Sequence, residues 1–166
     1  MKDRMRFVIE LSGKNIHNKT GGPFGAAIFD GAGKLIAPGI NMVIPENCSV
    51  LHAEMVAIMM AQKILGRYDL SDGGKESFDL FATTEPCAMC FGAIPWSGVK
   101  RLVCGARCND AEAIGFDEGP KPSYWISALK QRGIEVVQDV LKDEAKSVLA
   151  AYAGTGGLIY NPERFS

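Results

Sequence analysis

Two short segments far apart in the chain, His52-Ala53-Glu54 and Pro86-Cys87-Ala88-Met89-Cys90, each open a run with helical periodicity. One imidazole and two thiols make a good zinc-binding set, and a catalytic zinc takes three protein ligands and leaves a fourth position for water. For His52, Cys87 and Cys90 to share an ion, two helix starts must meet, which restricts the fold strongly. Cys87 and Cys90 are three positions apart, so one helical turn puts both sulfurs on the same face. A helix N-terminus also favours the thiolate form that zinc requires. Glu54 lies two positions from His52, poor spacing for two ligands on one helical face. It reads better as a carboxylate beside the bound water, placed to move protons.

The length of 166 residues suits one domain spanning 1–166, long enough to bury a substantial core. Hydrophobic residues at 47% and charged residues at 22% are ordinary globular values, so no fibrous or disordered class is implied. A net charge of −1 gives no general attraction for nucleic acid or for an anionic membrane. No apolar run reaches the roughly 18–20 residues that span a bilayer, and the N-terminus is too short and polar for a signal peptide. Five cysteines without an export signal imply reduced thiols with metal or packing roles, and a cytoplasmic location.

The pattern predicts a helix over 3–18 with Phe7, Val8, Leu11 and Ile16 facing inward, ended by Gly21-Gly22-Pro23. Strands follow at 24–30 and 34–43, joined by a turn at 31–33. The strongest helix candidate covers 52–66, with Met55, Ile58, Met59, Gln62 and Leu65 at helical spacing before Gly66. A buried strand at 78–83, a short helix at 87–94 and a strand at 99–105 come next. A helix at 122–132, a strand at 134–137 and an amphipathic helix at 140–153 complete the chain. Strands alternating with helices imply an α/β sandwich whose later strands run parallel. In such sheets functional residues gather where strands give way to helices, as His52 and Cys87 do.

Zinc lowers the pKa of its water to about 7, which makes hydroxide available near neutral pH. Attack on a heterocycle carbon bearing an amino group, with Glu54 carrying protons, is hydrolytic deamination. Other readings of the cysteines exist. A lone C-x-x-C fits a redox pair. Cys104 and Cys108 could complete a structural four-cysteine zinc site with Cys87 and Cys90, in a module that binds a partner. The histidine and glutamate ahead of a long helix, and the proline before Cys87, favour the catalytic reading. Cys104 then reads as a buried small hydrophobe, and Cys48 and His17 carry no site signal.

H-x-E followed by P-C-x-x-C resembles the signature of the cytidine deaminase superfamily. Within it the chain is most similar to bacterial guanine deaminases, from about Gly21 to Pro120 and more weakly beyond. The matching segments include Gly21-Gly22-Pro23-Phe24-Gly25-Ala26, Asn41, Ala93-Ile94-Pro95-Trp96 and Gly115-Phe116-Asp117-Glu118-Gly119-Pro120. The last of these points to guanine. The resemblance implies a three-layer α/β/α sandwich around a five-stranded mixed sheet, a homodimer, and one zinc per chain on His52, Cys87 and Cys90. It makes Glu54 the proton shuttle and Glu118 a second carboxylate facing the substrate, a small nucleobase. Asn41 would hydrogen-bond the base and the Ala53 N–H would contact the oxygen-bearing end of the reacting centre. Phe24 and Phe116 would pack on the ring, and Trp96 would lie near the pocket or the dimer contact. A C-terminal aromatic, Tyr160 or Phe165, is a further candidate cover for the site. Glutamate at 118, where the family pattern also allows aspartate, lengthens the acidic arm and could shift tolerance toward aminotriazines. No basic C-terminal helix is present to follow a phosphate backbone, which disfavours tRNA.

Overall fold

The computed structural model describes residues 1–161. In chain order the elements are α1 (Lys2–His17), β1 (Gly25–Asp30), β2 (Leu35–Ile40), α2 (Ala53–Leu65), β3 (Phe78–Thr84) and α3 (Ala88–Ser97). They continue with β4 (Arg101–Ala106), α4 (Cys108–Glu112), α5 (Trp125–Gln131), β5 (Glu135–Val137) and α6 (Lys142–Gly154). The five strands form one sheet in the order β2-β1-β3-β4-β5. β1 is antiparallel to both β2 and β3, while β3, β4 and β5 run parallel, so the sheet is mixed as expected.

Central β3 is buried along its whole length, which explains its run of Phe78, Leu80, Phe81 and Ala82. Successive side chains point to opposite faces. Leu80, Leu102 and Cys104 therefore join one core with Ala57 and Ile58 of α2, Ile94 of α3 and Leu129 of α5. Phe81, Val103 and Ala106 join a second core with Met5 and Val8 of α1, Ala111 of α4 and Leu149 of α6. Two helix layers thus cover the two faces of the sheet, the three-layer sandwich that the sequence implied. Among the described residues no helix is long and apolar enough to cross a membrane.

Two helices bury a different face from the one read off hydrophobicity. In α2 the buried residues are Ala53, Glu54, Ala57, Ile58 and Ala61, and Met59 is exposed. Alanine at every fourth position lets the helix backbone lie directly on β2. A Cβ on Gly39 of β2 would collide with the Ala53 carbonyl and sit 2.5 Å from the Ala57 nitrogen. In α1 the buried face is Met5, Val8, Ile9, Ser12 and Asn15, while Phe7, Leu11 and Ile16 are only partly covered. Ser12 is accommodated because its hydroxyl donates to the Ile9 carbonyl at 2.8 Å. Asn15 is retained inside because it ties two loops together, as described below.

Boundaries differ at three places that matter to the site. β2 stops at Ile40, so Asn41 begins a loop rather than sitting within a strand. α3 runs through Pro95 to Ser97, and Gly98 ends it in a left-handed conformation. A short helix, α4, follows β4 directly, and its N-terminus is closed by reciprocal bonds between Arg107 and Asp110.

The seating of α2 is testable with two glycines. Gly39→Ala forces the helix off the sheet, and overpacking of this kind costs about 1–3 kcal/mol. In a chain of this length that lowers Tm by roughly 3–10 °C in a circular-dichroism melt. Gly13, inside α1, faces open space, with no atom within 4 Å of where a Cβ would stand. Gly13→Ala should leave Tm unchanged or higher, since alanine is the better helix former by about 0.5–1 kcal/mol. A Gly39→Ala melt identical to wild type would contradict the close contact.

Candidate active site

The two segments singled out in the sequence meet at two helix N-termini. His52 is the N-cap of α2 and Cys87 the N-cap of α3, both with extended backbone, and Cys90 lies one turn into α3. His52 Nδ1 is 3.4 Å from Cys87 Sγ and 3.7 Å from Cys90 Sγ. The three donor atoms all lie within 4.8 Å of one another, the one such group among the described residues. Tetrahedral zinc with ordinary Zn–N and Zn–S bonds separates its nitrogen and sulfur ligands by about 3.6 Å. The donor set therefore fits that ion in chemistry and in span.

The two sulfurs are coupled to one another. A hydrogen bond from Cys90, then the His52 imidazole, pulls Cys87 down to about 4. Cys90 is pushed far up, first by that shared bond and then by burial. One thiolate and one thiol is what two adjacent sulfurs adopt without a cation, and a bound cation would allow both to ionise. Burial lowers the pKa of His52, but the Cys87 hydrogen bond and the Glu54 charge outweigh it, and the net direction is up. Cys104 lies outside the group on β4, fully buried, and burial holds it as a neutral thiol. Cys108 is likewise outside the group. The described geometry thus separates the second cysteine pair from the first, against a four-cysteine cluster.

An apolar cleft of about 320 Å³ opens beside these ligands. That is at the small end for a ligand pocket. His52, Glu54 and Cys87 line it on one side. Phe24 and Phe116 meet edge to face there with ring centroids 4.9 Å apart. Tyr160 packs on Phe116 at 5.1 Å and also lines the cleft, whereas Phe165 lies outside the described residues. Glu118 reaches the cleft from the loop after α4, and its backbone carbonyl accepts from Ala88 N–H at 2.8 Å. That bond fixes the loop to the first turn of α3.

Two carboxyl groups in the cleft carry raised pKa values. Glu54 is pushed up to about 7 by burial, with the Cys87 charge as the second cause. Glu118 also reaches about 7, again from burial and then Cys87. Groups poised near neutrality in an apolar cleft are placed to exchange protons at physiological pH.

Asn41 is buried at the cleft wall. Its Oδ1 accepts from Val43 N–H at 3.3 Å, while its Nδ2 has no hydrogen-bond partner among the described residues. Its backbone is pinned from both sides: Asn41 N–H donates to the Phe24 carbonyl at 3.1 Å, and Asn15 Nδ2 donates to the Asn41 carbonyl at 3.0 Å. Asn15 also donates to the Gly22 carbonyl at 2.8 Å, so it joins the loops that carry Asn41 and Phe24. The Thr84 and Tyr160 hydroxyls, buried in the same cleft wall and without a partner among the described residues, complete a set of polar atoms that a ligand could satisfy.

Two sequence candidates are not among the residues that line the cleft. Trp96 is 75% exposed on α3, with Arg132 5.7 Å from its ring, and does not line the cleft. Ala53 is fully buried in the first turn of α2, between two residues that do line it. Residues that the sequence reading missed include Thr84, Asn15 and Asn161. Asn161 accepts from Asp117 N–H at 2.9 Å and donates to the Gly115 carbonyl at 2.7 Å, which straps the C-terminal segment over the loop of Phe116. The signal for Thr84 was its place at the strand end before Glu85-Pro86-Cys87. No signal marked the two asparagines, whose partners are remote in sequence.

Comparison with known proteins agrees with this geometry. A guanine deaminase of Bacillus subtilis (strain 168) is 40% identical over 115 residues, covering 69% of this chain and 69% of its own. A tRNA-specific adenosine deaminase of Haemophilus influenzae is 32% identical over 149 residues, 89% of this chain and 80% of its own. The solved structure of a guanine deaminase from Nitrosomonas europaea is 48% identical with a TM-score of 0.89, covering 92% of this chain and 84% of that one. The model of the cytidine and deoxycytidylate deaminase zinc-binding region matches residues 1–106, and the chain belongs to that family.

Proposed function

We propose that the protein is a zinc-dependent guanine deaminase that hydrolyses guanine to xanthine and ammonia. The observation that carries this reading is one small apolar cleft in which a His-Cys-Cys ligand set adjoins two carboxyl groups poised near neutrality. His52, Cys87 and Cys90 hold the zinc, one ion per chain. When bound, zinc supplies the Lewis acidity that makes water a nucleophile near neutral pH.

The chain's own groups do the rest. Glu54 takes one proton from water as the C2–O bond forms and passes it to a ring nitrogen, then carries the second water proton from the new C2 hydroxyl to the amine, which leaves as ammonia as the C2–N bond breaks. Glu118 accepts from the guanine N1–H and 2-amino group, both donors that suit a carboxylate. The free Asn41 Nδ2 donates to a ring acceptor, and the Ala53 N–H faces the oxygen-bearing end of the reacting centre. Phe24 and Phe116 pack against the ring, with Tyr160 as the cover. A cleft of about 320 Å³ suits a free base.

The reading extends to a single catalytic domain working in purine metabolism as a cytoplasmic homodimer. Met59 and Ile64 of α2 and Trp96 of α3 are exposed on helices that pack together, an apolar surface suited to a dimer contact. The Haemophilus relative favours one second reading, adenosine in tRNA. A net charge of −1 supplies no general attraction for a phosphate backbone.

Ammonia release measured with guanine, adenine, cytosine, cytidine, an aminotriazine and an anticodon-stem RNA tests the substrate. Guanine is expected to react with the highest kcat/KM, and a preference for the RNA would overturn the reading. Metal analysis should find one zinc per chain, lost in Cys87→Ala and kept in Cys104→Ala. Zinc loss in the Cys104 variant would restore the four-cysteine alternative. Glu54→Gln should keep zinc and fold while kcat falls about 10²- to 10⁴-fold, because the amide cannot accept and return protons. Glu118→Ala should leave zinc content and Tm near wild type and cut guanine turnover strongly. Glu118→Asp should keep part of it, with a changed ranking of guanine against aminotriazine. Unchanged guanine kinetics in both Glu118 variants would leave a zinc deaminase of another substrate.

A further inference from the structure

Glu118 is nearly buried, and one of its oxygens is spoken for. Its Oε2 lies 3.4 Å from Cys108 Sγ, its one side-chain hydrogen-bond partner among the described residues, and Oε1 is left for an occupant of the cleft. Cys108 opens α4 and is itself held in place. Lys121 Nζ is 2.8 Å from the same sulfur and donates to the Pro86 carbonyl at 2.8 Å. It also stands 4.3 Å from the centroid of the Trp125 ring. An ammonium has three protons and no lone pair, so the lysine must be the donor toward sulfur. The sulfur then accepts from Lys121, and of the three acceptors around its own S–H Glu118 Oε2 at 3.4 Å is nearer than the Pro86 and Glu85 carbonyls at 3.8 and 3.9 Å. The result is a directional chain from ammonium to thiol to carboxylate, anchored at its far end on the residue before Cys87.

We propose that Cys108 and Lys121 are positioning residues for Glu118, fixing the direction in which its carboxylate faces the base and thereby the choice between substrates. The proposal rests on the reading of Glu118 as the base-facing carboxylate. Hydrogen bonds weaken steeply with misalignment, and charge-assisted ones are the strongest that a polar ligand makes. A glutamate arm has several rotatable bonds and can swing through the cleft unless something holds it. A purine and an aminotriazine present their N–H groups to that arm at different distances from the metal ligands. Releasing the arm therefore changes the relative rates on the two rings, an effect that looser packing alone would not produce.

A mutant cycle with Glu118 tests this in the zinc-loaded enzyme. Cys108→Ala removes the donor, while Cys108→Ser keeps one. With zinc content and Tm near wild type, Cys108→Ala should lower guanine kcat/KM by roughly 10- to 100-fold, the usual range for a bond to a charged group. It should also change the guanine-to-aminotriazine ratio, and Cys108→Ser should recover much of both. In a Glu118→Ala background, Cys108→Ala should add less than a twofold further loss. Lys121→Met, which leaves the thiol in place, should move the same ratio in the same direction and serves if Cys108→Ala fails to fold. Equal losses on both rings, or the same loss with and without Glu118, would overturn the positioning role. A harmless Glu118→Ala would instead overturn the underlying reading of Glu118, so the two failures are distinguishable.

Discussion

The contact between the backbone of α2 and that of β2 sets the frame for the rest of the site. It exists because Ala53, Ala57 and Ala61 recur along one helix face opposite Gly39. Seated there, α2 delivers His52 as its N-cap and Glu54 in its first turn to the end of the sheet where β3 gives way to α3. The loop leaving β2 begins with Asn41, so the cleft-facing amide is referenced to the same contact. His52, Glu54 and the Asn41 amide thus share one rigid reference. Catalytic groups need that, because misplacement of about 1 Å can cost 10²-fold.

The cleft behaves as a single electrostatic unit. Burial raises both Glu54 and Glu118, and the charge on Cys87 is the second cause for each. Neither carboxyl group is therefore independent of the state of the ligand set. The N-terminus of α3, which favours a thiolate at Cys87, acts on both carboxyl groups at once. The bond from Ala88 N–H to the Glu118 carbonyl makes this coupling geometric as well as electrostatic.

What was legible in the sequence is what local spacing encodes. Cys87 and Cys90 sit one turn apart, strands and helices alternate with their proper periods, and the grouping of His52 with the two cysteines and the parallel run of the later strands follow. The buried face of α2 was not legible, because Met55 and Met59 outrank alanine on any hydropathy scale. Close backbone packing selects for small size instead. α4 was missed because Cys108–Glu112 is five residues of mostly polar chain, stabilised by its cap and by its place after β4. The support of Glu118 by Cys108 and Lys121 depends on three side chains brought together by a loop, and no periodicity announces such a meeting. Phe24, Phe116 and Glu118, which line the cleft, were singled out through resemblance alone, since their spacing fits ordinary core and loop residues equally well.

The C-terminal strap carries a kinetic consequence. Tyr160 lines the cleft, and the two bonds tying the next residue to the loop of Phe116 both come from the side-chain amide of Asn161. A single rotamer change in that exposed residue releases both bonds together. Hydrogen bonds at an exposed site are worth only about 0.5–1.5 kcal/mol each net, far less than the free energy of unfolding the sheet beneath them. This tie thus belongs to the low end of the protein's local opening equilibria. Its release breaks no bond within the helices that carry His52, Cys87 and Cys90.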